Sequence, residues 1–272
     1  MSGWDRASPG YVADFLPQLA PYDADLASEL GLRDGDRVLT TAGTEVVALA
    51  RAVGDAGRVC VSGGRPEMIV LCKERARAAG LDARVVYEPS GERLGGAFDA
   101  AVSAFGLAEA ADARAHLRAL GAAIGPRGKV GVMTWGPVAE DDAERVFARA
   151  VDEVAPEVEA TAMSLPAFDR AAITRLFEEA ELAVVRHTVV SHAMVFPRAE
   201  RFAAALLGAR VYGEKLRALG QPRVAGVLAR FYERVGGQDE TVTYAPVATV
   251  VVAAHPGAEI ELPNRPSVRV PI

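Results

Sequence analysis

Residues 37–68 read RVLTTAGTEVVALARAVGDAGRVCVSGGRPEM, and their pattern is the strongest indication of the fold class. An apolar run at 37–42 predicts a strand, Gly43 marks a tight turn, and residues 46–53 have the spacing of a helix. A second apolar run at 57–61 predicts another strand, and a proline then opens the next helix. A strand, a glycine turn, a helix and a strand of this length are typical of a Rossmann-type half.

Composition limits the classes of protein and partner. The chain has 272 residues, 50% of them hydrophobic, and a formal net charge of −6, which suits one large α/β domain with a substantial core. No run of Lys or Arg reaches five residues, so we expect neither a nucleic acid nor a membrane as partner. There are two cysteines without a disulfide pattern and no signal-peptide segment, so we expect a cytoplasmic protein.

Strand-like and helix-like runs alternate from residue 36 onward. The strand-like runs are 37–42, 57–62, 84–88, 98–104, 128–134, 183–196 and 241–254. The helix-like runs are 44–53, 66–79, 109–124, 140–154, 169–181, 198–218 and 222–236. Such alternation predicts parallel crossovers and an α/β fold, with a doubly wound sheet covered by helices on both faces.

Five short motifs follow one another with family-like gaps. They are GRV at 57–59, PEM at 66–68, FDAAVSAFGL at 98–107, GPRGKV at 125–130 and TWGP at 134–137. Through them, residues 35–254 resemble the class I S-adenosylmethionine-dependent methyltransferases, within them the small-molecule branch similar to the ubiquinone and menaquinone C-methyltransferases. The resemblance implies a Rossmann-like, doubly wound, seven-stranded sheet with one antiparallel strand and a helical substrate cover.

We predict a single methyltransferase-like domain over residues 1–272. Residues 1–30, where aromatic side chains stand among prolines, would form an N-terminal cover arm. The core would span 35–254, with cover helices near 140–154 and 198–236. The tail 256–272 contains four prolines and is predicted to be an irregular arm.

The resemblance implies cofactor-binding positions whose usual residues are mostly missing. The family's first strand ends in an acid and leads into a Gly-x-Gly-x-Gly turn; here Thr40 replaces the acid, Gly43 matches, and Glu45 stands at the last glycine. Glycine is used there because the ligand approaches bare backbone. Gly63 stands where an acid should accept the ribose hydroxyls, and Ser90 stands in the pair that should bind adenine.

These replacements predict weak cofactor binding. Each lost hydrogen bond to a charged group is worth about 1.5–3 kcal/mol, so losing the ribose and adenine contacts removes roughly 3–6 kcal/mol. That is on the order of a hundred- to ten-thousand-fold in affinity. The carboxylate of Glu45 would add steric and like-charge repulsion. We therefore expect no cofactor, or only weakly bound S-adenosylmethionine.

Two residues are candidate acid–base catalysts. Glu45, near a helix N-terminus, could act as a general base, or it could fill the vacated site or point to solvent. His192 stands near the end of the predicted sixth strand and is preferred to His187, which a regular strand directs to the opposite face. The alternative is a structural imidazole. His116 is predicted to be solvated, His255 to be structural, and no histidine has metal-ligand spacing, so we expect no metal.

Aromatic residues could line a substrate cavity beneath the cover. The candidate substrate-pocket residues are Trp4, Tyr11, Phe15, Phe105 and Trp135. The alternative is that they are ordinary core residues, which is common for aromatic side chains.

Three functions remain open. The first is a protein with the methyltransferase fold that binds an apolar small molecule from secondary metabolism and promotes its cyclisation or rearrangement without methyl transfer. The second is an active methyltransferase whose cofactor is held by substitutes such as Ser62, Ser90, Glu92 and backbone donors of the 43–46 turn. The third is a non-catalytic partner of an active homologue; both a homodimer and a heterodimer are compatible with the sequence.

Overall fold

The computed structural model describes residues 10–41, 43, 45–63, 66–88, 98–107, 110–160, 168–208, 210–263 and 268–269. Its strands are β1 (Arg37–Thr40), β2 (Arg58–Ser62), β3 (Val85–Glu88), β4 (Phe98–Ala104), β5 (Ile124–Trp135), β6 (Ala183–Ser191), β7 (Met194–Phe196), β8 (Val242–Tyr244), β9 (Val247–Ala254), β10 (Glu259–Ile260) and β11 (Val268–Arg269).

Helices separate most of these strands. They are α1 (Ala20–Leu30), α2 (Val46–Ala52), α3 (Pro66–Ala78), α4 (Ala113–Ala123), α5 (Ala143–Val154), α6 (Arg170–Glu179), α7 (Ala199–Gly208), α8 (Arg210–Ala218) and α9 (Gln221–Val235). Asp112 and Asp169 cap α4 and α6 by accepting backbone N–H groups of the first turn. Within the described ranges, no helix has the length and apolarity needed to cross a membrane.

The predicted seven-stranded sheet is confirmed. Its strand order is β3-β2-β1-β4-β5-β9-β6. The pairs β3–β2, β2–β1, β1–β4 and β4–β5 are parallel, whereas β9 runs antiparallel to β5. Reversal of the strand order on either side of β1 places a topological switch point at the carboxyl ends of β1 and β4.

Apolar side chains bind the helices to this sheet. One buried cluster joins Leu39, Val132 and Val251 from the strands to Leu117 of α4 and Phe177 of α6. Helix α1 approaches β5 closely, since a Cβ added at Gly131 would lie 2.8 Å from Leu30 Cδ1. Burial of this kind, at about 25 cal/mol per Å² of apolar surface, is the main stabilisation of the sheet's central strands.

The chain consists of two compact units. The larger unit contains residues 20–136, 168–190 and 248–272, and therefore the large sheet with α1–α4 and α6. The smaller unit contains 1–19, 137–167 and 191–247, with α5, α7, α8 and α9. Phe147 and Phe231 form an edge-to-face pair inside the smaller unit, at a centroid separation of 5.4 Å. The single domain with a substrate cover stays a prediction.

Two predicted strands are shorter than expected. The run 183–196 divides into β6 and β7, and the run 241–254 divides into β8 and β9; β7 and β8 pair with each other in a separate two-stranded sheet. Pro246 interrupts the second run because proline has no N–H to donate to a ladder. Apolar residues resume after both breaks, so each run was predicted as one strand, although Pro246 marks the second break.

Both ends of the chain differ in detail from the prediction. Residues 20–30, assigned to the N-terminal arm, form α1 and pack against the large sheet. The arm's described remainder begins with a short π-helical turn at Tyr11–Phe15. In the tail, predicted to be irregular, β10 pairs antiparallel with β11.

Candidate ligand site at the carboxyl ends of the strands

The turn after β1 is filled by one of its own side chains. Glu45, just before α2, is fully buried, although a glutamate in this position could also have pointed to solvent. Its Oε1 accepts a hydrogen bond from the Thr40 hydroxyl at the end of β1. A Cβ added at Gly43 would overlap the Glu45 carboxylate. Only glycine therefore fits at position 43 while this carboxylate stays in place.

Burial dominates the electrostatics of Glu45. Desolvation raises the pKa of the Glu45 carboxyl, while the Thr40 hydrogen bond, backbone N–H groups and the positive charge of Arg75 act in the opposite direction. Among the described residues, neither Glu45 Oε2 nor Arg75 Nη1 has a hydrogen-bond partner, and both atoms are buried. A carboxyl with a raised pKa can donate a proton at a higher pH than a glutamate in water.

Cys72 of α3 closes the same turn from another side. Its Sγ donates to the Gly43 carbonyl over 3.1 Å. Burial, followed by the nearby Glu45 carboxylate, raises the pKa of the Cys72 thiol to about 12. The thiol therefore stays protonated at neutral pH and packs as a small apolar group rather than acting as a nucleophile.

The other two predicted cofactor positions are Gly63 and Ser90. Gly63 directly follows β2 and has φ +71, and a Cβ added there would have no heavy atom within 4 Å. The space beside this residue is open, but the residue brings no hydrogen-bonding side chain to it. Ser90 lies outside the described residues.

The ends of β4 and β5 carry the two predicted pocket aromatics of the larger unit. Phe105 stacks on Trp135 with the ring centroids 3.9 Å apart and the planes 19° apart. Tyr22 of α1 meets Trp135 edge to face at 5.4 Å. Phe105 and Trp135 are each intermediate in exposure as whole residues, whereas Tyr22 is fully buried. The structure thus brings Phe105 and Trp135 together, and their role in lining a substrate pocket stays a prediction.

A histidine that was predicted to be solvated contacts β4 instead. His116 in the first turn of α4 places its Nε2 3.0 Å from the hydroxyl of Ser103, which is fully buried near the end of β4. The expectation of a solvated His116 was wrong, because the helix returns over the strand that precedes it. Burial lowers the pKa of His116, so its imidazole is neutral at neutral pH and can accept a proton.

The predicted catalytic histidine belongs to the other unit. His192 follows β6 instead of lying within it, is partly exposed, and falls in the smaller unit, whereas Glu45 falls in the larger one. His187 does lie on β6; burial, followed by the charge of Arg170, lowers its pKa. Its buried Nε2 has no partner within the described part of the chain.

The remaining pocket candidates also belong to the smaller unit. Tyr11 and Phe15 stack at a centroid distance of 5.3 Å, and Phe15 continues to Phe196 at 6.5 Å. Trp4 lies outside the described residues. Across the ranges that the structure describes, no three His, Cys, Asp or Glu side chains cluster in a way that could hold a metal ion.

Solved structures with the same architecture are known, although no protein-family profile and no curated protein sequence matches the chain. The [4+2]-cyclase SpnF is 18% identical, with a TM-score of 0.54 over 90% of this chain and 84% of that one. A cyclopropane-fatty-acyl-phospholipid synthase-like protein from Lactobacillus casei is 16% identical, with a TM-score of 0.54 over 88% and 91%. A methyltransferase from Geobacter sulfurreducens, in complex with S-adenosyl-L-homocysteine, is 14% identical, with a TM-score of 0.50 over 87% and 91%.

This chain has the class I methyltransferase fold. The sheet order and its single β5–β9 reversal agree with these likenesses. At such low identity the likeness establishes the fold alone, and function has to be argued from the residues at the site.

Within this methyltransferase fold, sequence reasoning missed three polar neighbours of the predicted site. Arg75 and Cys72 lie on α3 and reach Glu45 and the 43–45 turn only because α3 packs beside α2. His116 reaches Ser103 across thirteen positions of sequence. No spacing in the sequence signals either encounter, since each depends on how a helix returns over the sheet.

Proposed function

We propose that this protein binds an apolar small molecule of the natural-product type and promotes its cyclisation or rearrangement without transferring a methyl group. One observation carries the proposal: the Glu45 carboxyl is buried over Gly43, at the turn that the family leaves bare for its cofactor. In open α/β sheets, ligands generally bind outside the carboxyl ends of the strands, and we expect the same place to serve here although this turn is filled.

The residues present do not suit S-adenosylmethionine bound in the family's manner. To reach the backbone at Gly43, the cofactor would have to displace Glu45 from its hydrogen bond with Thr40. The displaced carboxylate would then face the cofactor's own carboxylate. At the ribose position, Gly63 offers no acceptor on a side chain. Losing these contacts costs roughly 1.5–3 kcal/mol for each hydrogen bond to a charged group.

The chain supplies groups that a cyclase or isomerase could use. Shape and exclusion of water can hold a flexible substrate close to its reactive conformation, which is the main demand of a cyclisation. The neutral imidazole of His116 could accept one proton, whereas the Glu45 carboxyl would have to leave its fully buried position before it could exchange a proton with a substrate. The solved structure of SpnF is that of a [4+2]-cyclase, so this fold is compatible with such a reaction.

A calorimetric titration tests the proposal. We expect the wild-type protein to bind neither S-adenosylmethionine nor S-adenosylhomocysteine at micromolar concentrations. Glu45→Gln keeps the volume of the side chain and should also fail to bind. The double variant Glu45→Gly, Gly63→Asp should gain affinity, and aspartate is among the residues that tolerate the positive φ of position 63. Low-micromolar binding by the wild type would refute the proposal.

The second candidate is an active methyltransferase with substitute cofactor contacts. Arg75 supports it, because its buried Nη1 is a donor without a partner among the described residues and lies near the turn. Ser62 at the end of β2 is a further substitute donor. The same titration separates this candidate from the first, since only an active methyltransferase needs a bound cofactor.

A further inference from the structure

Phe105 has a backbone conformation that a bulky residue seldom adopts. Its φ is +59, in the left-handed region that disfavours side chains larger than those of Gly and Asn. The other non-glycine residues with positive φ in the described ranges are Glu159 and Glu181, and both stand at the end of a helical segment, where this conformation is common. Phe105 instead follows a strand, so helix termination does not explain it.

Local contacts hold this strained residue in place. The Phe105 N–H donates to the Met133 carbonyl over 2.7 Å, which extends the ladder between β4 and β5 by one residue. The Phe105 ring then lies nearly parallel to the Trp135 ring. Backbone strain of this kind persists where the surroundings impose it, and it is concentrated at functional sites.

The pair packs against the interior through Trp135. Tyr22 is fully buried and meets Trp135 edge to face. Phe105 and Trp135 are each intermediate in exposure and lie at the carboxyl ends of β4 and β5. Nearly parallel aromatic rings in such a position are suited to stacking with a planar ligand.

We propose that Phe105 and Trp135 form a stacking platform for a planar, conjugated segment of the substrate, so that the substrate class is a conjugated polyene or an aromatic compound rather than a saturated aliphatic chain. This inference rests on the proposed function in one respect, namely that the crevice binds a small molecule. It adds the electronic character of that molecule. A flat π system can stack on the rings, whereas a chain with methylene-interrupted double bonds cannot lie flat over the same length.

A pair of isomeric probes tests the platform. α-Eleostearic acid has three conjugated double bonds, whereas α-linolenic acid has the same atomic composition with methylene groups between its double bonds. Both are titrated by calorimetry into the full-length protein below their aggregation concentrations. We expect the conjugated isomer to bind about three- to tenfold more tightly, which corresponds to the usual strength of one aromatic stacking contact.

Variants at position 105 test whether the Phe105 ring causes the preference for the conjugated isomer. Phe105→Tyr keeps the ring and should keep the preference. Phe105→Leu and Phe105→Gly should lower the preference, and Phe105→Leu combined with Trp135→Leu, which removes both rings, should bind the two isomers within about twofold of each other. Phe105→Gly also relieves the strained φ, so its loss of preference cannot be attributed to a misfolded turn. Far-UV circular dichroism of each variant checks that the fold is retained.

The outcomes are separable from those of the cofactor titration. Equal binding of the two isomers by the wild type, no binding of the conjugated isomer, or an undiminished preference in both ring-deletion variants would overturn the platform. Tight cofactor binding combined with a clear preference for the conjugated isomer would refute the non-methylating function and leave the platform standing. If the wild type neither binds the cofactor nor prefers the conjugated isomer, the platform is refuted and the non-methylating function is not.

Discussion

Replacing Glu45 with glutamine should stabilise the protein at neutral pH and have little effect in acid. The carboxyl is fully buried, and desolvation raises its pKa in the folded state. In the unfolded chain, the pKa of a glutamate is about 4.3. The folded protein therefore holds the proton more tightly than the unfolded chain. The contribution of the carboxyl to the unfolding free energy is greatest at pH values where it is protonated in both the folded and the unfolded state.

The magnitude follows from proton linkage. Below about pH 4 the buried carboxyl is protonated in both states, and glutamine is a near-isosteric neutral replacement. As the pH rises above the unfolded-state pKa, the wild type loses about 1.4 kcal/mol of unfolding free energy per pH unit, until the raised folded-state pKa is reached. Glutamine does not titrate, so the variant's advantage grows over this interval and then becomes constant. Solvent does not screen the Glu45 carboxyl, because the residue has no exposed surface.

Urea unfolding at a series of pH values from about 4 to 8 measures this effect. The difference in unfolding free energy between Glu45→Gln and the wild type, plotted against pH, should rise and then level off at the folded-state pKa of Glu45. Glu74→Gln is the matched control, since Glu74 is an exposed residue of α3 and surface substitutions usually change stability by less than about 0.5 kcal/mol.

A pH-independent difference would refute the reasoning. If the Glu45→Gln and wild-type curves stay parallel from about pH 4 to 8, to within about 0.3 kcal/mol, the carboxyl does not gain a proton on folding. Burial would then not raise the pKa of the Glu45 carboxyl, and the desolvation argument would fail. A decreasing advantage with rising pH would refute it more strongly, because the sign itself would be wrong.

Three further predictions concern the same site. Gly43→Ala should lower the unfolding free energy by about 1–3 kcal/mol because its Cβ overlaps Glu45, and the loss should largely vanish in a Glu45→Gly background when both are measured by urea unfolding. His116 should titrate in NMR spectra with a pKa below about 6.5. The contribution of its neutral form to the unfolding free energy should be complete above that pH and decrease as the pH falls. A measured pKa at or above this value would contradict the burial argument. In a Cys60→Ser background, Cys72 should resist thiol reagents at about pH 8 until the protein is unfolded, and rapid labelling of the native protein would show that the thiol is not held as described.

Most of the fold could be predicted from the sequence. Apolar runs separated by turn residues are local signals, and they located the seven strands of the large sheet and its α/β character. The same signals did not lead to the division of 183–196 and 241–254 into two strands each. Apolar side chains are suitable on either side of such a break, so the change of pairing partner is marked only where a residue such as Pro246 interrupts the ladder.

The candidate site was only partly predictable. Position 45 was identified because a carboxylate replaced the glycine of a recognisable turn, and this is visible in the sequence alone. Whether that side chain points to solvent or folds into the turn depends on Thr40, Arg75 and Cys72, which the fold brings together from β1 and α3. The contact between His116 and Ser103 depends in the same way on the path of α4 over β4.

A few consecutive residues encode each strand and helix, the glycine turn and the replaced acidic and glycine positions, so all of these can be recognised without a structure. The burial and raised pKa of Glu45 and the strained position of Phe105 against Trp135 depend instead on the assembled fold. Burial, desolvation and stacking arise between residues distant in sequence, so they exist only once the sheet and its helices are assembled.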